Sequence, residues 1–208
     1  MPRIFLLLLV GLGAAFGESP ANWTADYPPC NRHSELLKQE HMNLGVRIST
    51  ANQALAAQFR RAMDSWASII DLDWYEDDTQ SCAMQLVDGK RELFETPAMA
   101  ARSQLPDRSY FQGWIAFNPA QENSDIEMYR VALHEVGHML GLQHSSNAKS
   151  VMYGFDLEGQ KWLDPEDLSA LAAHHKLRIA ALDQPIQLPI HAARQSLAVS
   201  SPMNDRGN

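Results

Sequence analysis

The sequence has few basic residues, no long block of one charge sign and no internal repeat. Lys and Arg number 17 against 25 Asp and Glu, which gives the 208 residues a formal net charge of −8. Nucleic acid is therefore not an expected partner, because binding to phosphates needs a basic surface. The length suits one domain with terminal extensions, and a hydrophobic content of 45% is enough for a packed core.

Long apolar runs are also scarce, and the one that is present lies at the N-terminus. Arg3 precedes the apolar residues 4–10, and small residues follow around Ala15 and Gly17. This arrangement is typical of a signal peptide, and the run is too short to span a membrane. We therefore predict a signal peptide over residues 1–17, a secreted or periplasmic location, and no membrane contact after the signal is removed.

The segment HEVGHMLGLQH, which begins at His134, has the spacing of a metal site. Residues four apart lie on one face of a helix, so His134 and His138 can direct two imidazoles at one point. His144 is too far along a straight helix, but Gly141 allows the chain to leave the helix and return His144 to that point. Glu135 lies on the same side and can reach a metal-bound water. The pattern predicts one catalytic Zn²⁺ held by three histidines, with Glu135 as the catalytic base.

Cysteine is limited to Cys30 and Cys82, and neither lies near this motif. A thiol nucleophile is therefore disfavoured, and no serine stands in a nucleophile elbow. In an exported chain, an even pair of cysteines most often forms a disulfide. The alternative is that the thiolate of Cys30 binds the zinc and holds the protein latent.

The longer segment HEVGHMLGLQHSSNAKSVMY resembles the zinc-binding segment of the metzincin endopeptidases, and most closely that of the matrixins. Ser145, directly after the third histidine, is similar to the matrixin form. SVMY resembles the Met-turn, in which Met152 lies beneath the three imidazoles. The resemblance implies an α+β catalytic domain with a twisted mixed sheet, an antiparallel edge strand, three main helices and a zinc cleft.

The same resemblance implies further roles for individual residues. In matrixins the substrate peptide lies extended along the edge strand, so Gly113, Trp114, Ile115 and Ala116 are expected to bind its backbone. Tyr153 is also expected to bind the substrate. A plain edge strand without this role is the alternative for the four strand residues. Asp167 would brace the Met-turn by hydrogen bonding, or it would be a solvated carboxylate at the start of a helix.

Several positions depart from the matrixin pattern. Ile115 occupies the place of a histidine that holds a second, structural zinc in animal matrixins, so we expect no second zinc of that kind. Gly154 replaces the proline that commonly follows the Met-turn tyrosine, which leaves the side-chain preference open. No acidic cluster resembles a calcium loop, and the propeptide with its cysteine switch has no clear counterpart.

Hydrophobic periodicity predicts the elements that precede the motif. Alternating apolar residues over 42–48 predict a strand, and two short strands follow within residues 72–87. Thr50 and Gln53 resemble a capping box that begins a helix. The apolar residues of this helix recur at helical spacing and predict core packing: Leu55, Phe59, Met63, Trp66 and Ile70.

The region before the motif is less regular. Residues 88–112 lack steady periodicity and are expected to form a long surface excursion. GWIAFN, residues 113–118, is predicted to be a strand. Ser124 and Glu127 form a second capping box, which predicts the start of the helix that carries the motif.

The region after the motif contains one more predicted helix. Asp164 is its expected cap and Pro165 its first residue. His174 and His175 lack partners at metal-ligand spacing and are expected to be exposed or capping residues. We expect a loose, flexible C-terminal tail from Ile179 onward.

These observations divide the chain into four parts. Residues 1–17 are the expected signal peptide, 18–41 an N-terminal segment, 42–178 the metzincin-like catalytic domain and 179–208 the tail. We expect a secreted, monomeric zinc endopeptidase that hydrolyses peptide bonds in proteins by Glu135-assisted attack of zinc-bound water. The alternative is a zinc-containing binding module without turnover, although the presence of Glu135 favours the enzyme.

Overall fold

The computed structural model describes residues 30, 34–35, 41–90, 96–105, 108–120, 124–154, 162–179 and 182–188. The predicted signal peptide and most of the predicted N-terminal segment lie outside the described residues. In the part of the chain that is described, no helix is long and apolar enough to cross a membrane.

The described residues form eight strands and three helices. In chain order, the elements are β1 (Ser34–Glu35), β2 (Met42–Ser49), α1 (Gln53–Ile69), β3 (Leu72–Glu76), β4 (Met84–Asp88), β5 (Ala98–Leu105), β6 (Arg108–Phe117), α2 (Asp125–Met139), β7 (Trp162–Leu163), α3 (Pro165–His174) and β8 (Ile186–Gln187). The predicted strands over 42–48 and within 72–87 are confirmed, and so are the three helices.

The main sheet is mixed, as predicted, with the order β3–β2–β4–β6–β5. Its first four members run parallel, and β5 runs antiparallel along β6. The short β1 pairs antiparallel with the first part of β6. The sheet therefore has an antiparallel edge strand, which is β5.

The predicted surface excursion over 88–112 was wrong where β5 and the first half of β6 form. Ala98–Leu105 is a strand whose first residues, AMAA, carry too little alternation of apolar and polar side chains to be recognised. The prediction that residues 113–117 form the edge strand was also wrong. Ile115 pairs with Leu86 of β4 on one side and with Ala100 of β5 on the other, so its strand lies inside the sheet.

The N-cap of helix α1 lies two residues after Thr50, the N-cap that the sequence predicts. Asn52 is the N-cap, and its side chain accepts a hydrogen bond from the Leu55 N–H at 3.0 Å. The Thr50 hydroxyl instead accepts from the Asn52 N–H at 3.1 Å and donates to Asp88 at the end of β4. The proposed pairing of Thr50 with Gln53 is therefore wrong, because a better side-chain acceptor lies next to Gln53.

The core lies between one face of the sheet and helices α1 and α2. All five residues of the predicted apolar stripe are buried there: Leu55, Phe59, Met63, Trp66 and Ile70. Trp66 also donates its indole N–H to the carbonyl oxygen of Leu133 in α2 at 3.1 Å. This bond fixes α2 against α1 one residue before His134.

The predicted capping box at Ser124 and the predicted cap at Asp164 are both confirmed. Ser124 and Glu127 exchange hydrogen bonds at the start of α2. Asp164 and Asp167 do the same at the start of α3, where Pro165 occupies the first turn. Each box satisfies backbone donors that have no partner within the helix, so both helix starts are fixed by local sequence.

The chain after α3 differs from the loose tail that its sequence predicts. Ile186–Gln187 pairs antiparallel with Trp162–Leu163, and Leu188 is 1% exposed within the main core. Two apolar residues at the end of a polar stretch are too weak a periodic signal to indicate this packing. The remainder of the predicted tail, residues 189–208, lies outside the described residues.

Cys30 and Cys82 form a disulfide, as predicted, which excludes the alternative that Cys30 binds zinc. The bond links the N-terminal region to the segment just before β4. Both cysteines are buried.

Removal of this disulfide should lower the free energy of unfolding, because the unfolded chain would gain conformational entropy. The two cysteines are 52 residues apart, and closing a loop of that length contributes about 4 kcal/mol in the chain-entropy treatment. We expect the double variant Cys30→Ala with Cys82→Ala to lose up to that amount in urea unfolding. Equal midpoints for the oxidised protein and the variant would contradict this role.

Candidate metal centre

The three predicted histidines converge at one point. Their candidate ligand atoms all lie within 4.8 Å of one another. The Nε2 atoms of His134 and His138 are 3.0 Å apart, and the ring of His144 lies 5.2 Å from that of His134 and 4.8 Å from that of His138. Within the described residues, no other group of histidine, cysteine and acidic side chains is arranged in this way.

Backbone carbonyls determine which nitrogen of two imidazoles faces the centre. His134 Nδ1 lies 2.8 Å from the oxygen of Val151, and His138 Nδ1 lies 2.9 Å from the oxygen of Leu142. A carbonyl oxygen only accepts, so each Nδ1 carries the proton and each Nε2 presents a lone pair. Two lone pairs at 3.0 Å repel each other unless a positive charge lies between them.

The electrostatics of the centre also fit a metal ion. Burial lowers the pKa of His134 to about 4 and lowers the pKa of His138, so both rings are neutral at neutral pH. Neutral imidazoles whose outer nitrogens are held by hydrogen bonds, as in His134 and His138, are ligands that Zn²⁺ prefers. The residues present therefore fit the zinc ion that the sequence predicts.

The turn after α2 brings His144 back to the first two histidines, as predicted. Gly141 has φ = 103°, a conformation that residues with a Cβ rarely adopt. The N–H of Gly141 donates to the His138 oxygen and that of Leu142 to the Gly137 oxygen, both at 3.0 Å. These bonds satisfy the last carbonyls of the helix while the chain reverses.

Gly154 packs against the ring of His144. A Cβ at this position would lie 3.0 Å from His144 Nδ1 and 3.1 Å from Cε1. The departure from the matrixin pattern at this residue therefore leaves room for the third histidine. The side-chain preference of the neighbouring pocket stays open.

The Met-turn is bonded to the centre, because the Val151 oxygen accepts from His134 Nδ1. Met152 is fully buried, and its Sδ touches the place where a side chain on Gly137 would stand. The N–H of Ser145 donates to the Met152 oxygen at 2.9 Å, and Ser145 forms a bridge with Tyr153. The turn is thereby joined to the residue that follows the third histidine.

Asp167 braces the Met-turn, which decides between the two roles that the sequence left open. The Ser150 hydroxyl donates to its Oδ2 at 2.6 Å, and the Met152 N–H donates to the Ser150 hydroxyl at 2.9 Å. Burial raises the pKa of Asp167 to about 6, against the opposing effect of the Ser150 bond. The neighbouring cap, Asp164, accepts from the Ser145 hydroxyl at 3.0 Å.

Glu135 lies beside the histidines and is 8% exposed. Burial raises its pKa to about 8, against the opposing effect of a hydrogen bond from the backbone of Ala100. Ala100 belongs to β5, so the edge strand contacts the predicted catalytic base. No residue pattern predicts this contact, because the first residues of β5, AMAA, lack the alternation of a strand.

The four predicted substrate-binding residues of β6 lie one strand away from this edge. Trp114, Ile115 and Ala116 are buried and Gly113 is half-buried, with their backbone between β4 and β5. Tyr153 is half-buried next to Met152. The strand that contacts Glu135 is β5, so β5 is the better candidate for backbone contacts with a peptide.

The two histidines at the end of α3 behave as predicted. His174 is exposed. His175 is the C-cap of α3, and its Nε2 lies 2.7 Å from the oxygen of Leu140, the C-cap of α2. His175 therefore connects the ends of two helices at the turn that leads to His144.

The fold, the three-histidine centre and the Met-turn bonded to it define a metzincin-like catalytic domain. Within that class, the matrixin family model (peptidase M10) matches residues 38–175, and the chain belongs to the matrixin family. Matrix metalloproteinase-21 of Cynops pyrrhogaster is 30% identical over 157 residues, which are 66% of this chain and 25% of that protein.

Two further relatives match smaller parts of this chain. Matrix metalloproteinase-21 of Xenopus laevis is 32% identical over 57% of this chain and 21% of its own length. Metalloendoproteinase 1-MMP of Arabidopsis thaliana is 29% identical over 46% of this chain and 30% of its own length. This chain thus matches only about a quarter of the length of the first of these relatives.

Gly137 should not tolerate a side chain, although it lies inside a helix. Gly to Ala in a helix interior normally stabilises by about 1 kcal/mol. Here the added methyl would overlap Met152 Sδ and lie 3.2 Å from Trp66. We expect Gly137→Ala to lower the free energy of unfolding by about 1–3 kcal/mol, measured by chemical denaturation.

The Met152→Ala background provides the matched control for this prediction. Because that variant lacks the sulfur, adding Gly137→Ala to it should lower the free energy of unfolding much less than it does in the native background. An equal penalty in both backgrounds would show that the overlap with Met152 is not the cause.

Proposed function

We propose that this protein is a secreted zinc-dependent endopeptidase that cleaves peptide bonds within protein substrates. The observation that carries the proposal is the position of a buried carboxylate, Glu135, beside three converging imidazoles. Membership of the matrixin family supports the same class of reaction. The disulfide and the signal-like N-terminus support an extracellular or periplasmic location.

His134, His138 and His144 would hold the metal ion. When bound there, Zn²⁺ supplies Lewis-acid activation of the scissile carbonyl and of the attacking water. Glu135 takes a proton from that water and passes it to the nitrogen of the leaving amine. Water attacks directly, so no side chain of this protein forms a covalent bond with the substrate.

The peptide substrate would lie extended along β5. One side of β5 is paired with β6, and the backbone of Ala100 is hydrogen-bonded to Glu135. Among the described residues no strand pairs with the other side of β5, so an extended peptide could add there with its backbone near the catalytic base. The small side chains of Ala98, Ala100 and Ala101 leave room for a close approach, with residues 113–116 of β6 supporting the strand from behind.

A zinc-containing binding module without turnover is the second candidate. It would need the three histidines but not Glu135. Burial of this carboxyl group costs free energy, and that cost has no benefit in a module without turnover. Incubation with a mixed peptide library, with and without a chelator, separates the candidates. Zinc-loaded protein that cleaves no peptide would favour the module.

Replacement of the catalytic base should greatly reduce turnover and leave zinc binding unchanged. We expect Glu135→Gln to bind zinc normally and to lose at least about 10²-fold in kcat/KM on library peptides. Glu166→Gln, an exposed carboxylate in the first turn of α3, is the control and should retain activity. Cleavage by pure Glu135→Gln at the native rate would overturn the assignment.

Removal of one ligand should remove the metal itself. His138→Ala leaves two imidazoles, which is fewer than the three protein ligands of catalytic zinc sites. We expect its zinc content after gel filtration to fall well below one ion per chain, while His174→Ala, an exposed histidine, stays at the native level. A full zinc content in His138→Ala would contradict the ligand set.

A further inference from the structure

The segment Leu182–Leu188 lies beyond the residues that match the matrixin family, which end at residue 175. It nevertheless packs on the domain. Gln187 pairs with Trp162 and Ile186 with Leu163, and Leu188 is 1% exposed in the main core. The segment therefore covers the outer side of β7.

The inner side of β7 is bonded to the Met-turn. The N–H of Val151 donates to the oxygen of Trp162 at 2.7 Å, and Ser150 forms a bridge with Trp162. The oxygen of Val151 in turn accepts from Nδ1 of His134 at 2.8 Å. A single residue, Val151, thus links β7 to a hydrogen bond that orients a metal ligand.

The other side of the Met-turn leads to a second ligand. The Met152 oxygen accepts from the N–H of Ser145, which directly follows His144. The backbone therefore forms a small layer in the order β8, β7, residues 150–153 and Ser145. This layer, which we call the Met-turn layer, supports two of the three imidazoles.

We propose that Leu182–Leu188 is a positioning element of the metal centre, acting through the Met-turn layer. Leu188 anchors the segment in the core, the segment pairs with β7, and β7 holds the N–H of Val151, the residue whose carbonyl oxygen orients His134. Groups that orient metal-bound histidines typically change metal affinity by 10- to 100-fold when lost. The proposal rests on zinc binding by His134, His138 and His144.

The segment contains a matched pair of leucines for the test. Leu188 is 1% exposed, whereas Leu182 is 38% exposed in the same segment. We expect Leu188→Ala to raise the zinc dissociation constant about 10-fold in chelator competition. Leu182→Ala should stay within about twofold of the native value, since its side chain has little contact to lose.

Hydrogen exchange provides a readout that does not require the metal. In zinc-free protein, the amide of Val151 should exchange faster in Leu188→Ala than in Leu182→Ala, because its acceptor in β7 is less firmly held. All measurements are made at temperatures where circular dichroism shows the variants folded. If Leu188→Ala does not fold, Leu188→Val, which removes a single carbon, is judged by the same two readouts.

The outcomes separate this inference from the proposed function. Leu188 variants that lower the melting temperature but leave both zinc affinity and Val151 exchange unchanged would overturn the inference, because Leu188 would then be a core residue only. Native protein that binds no zinc would overturn the proposed function instead. Weaker zinc binding together with faster Val151 exchange would support both.

Discussion

The centre depends on two hydrogen bonds between imidazoles and backbone carbonyls. The oxygens of Val151 and Leu142 hold protons on the outer nitrogens of His134 and His138, so the inner nitrogens face each other as lone pairs. Because these carbonyls belong to the Met-turn and to the turn after α2, the chain must form both turns before the imidazoles are oriented. The chemistry of the site is thus inseparable from the fold that surrounds it.

Close packing around Gly137 places α2 relative to these turns. Trp66 contacts the helix from α1 and Met152 from below, and the absence of a side chain lets both approach. Asp167 then fixes the Met-turn from α3 through Ser150. Elements that are far apart in sequence therefore converge on one short stretch of helix, and the edge strand β5 reaches the same stretch through Ala100.

Local patterns predicted the parts of the structure that local interactions determine. The histidine spacing, the Gly141 turn, the capping box at Ser124 and the cap at Asp164 each involve residues within a few positions of one another. The sequence does not predict the edge strand, because AMAA has no alternation, and the edge is therefore wrongly predicted at residues 113–117 of β6. The partners of His134 and His138 are backbone oxygens, which any residue type could supply, so the sequence carries no signal for them.

The disulfide has a consequence for any proteolytic processing of the N-terminal region. Cys30 is joined to Cys82, just before β4, whereas β2 begins at Met42. Cleavage of the chain between Cys30 and His41 would produce a new amino terminus without releasing the upstream fragment. That fragment would stay covalently tethered to the catalytic domain, and its departure would require a reductant in addition to a protease.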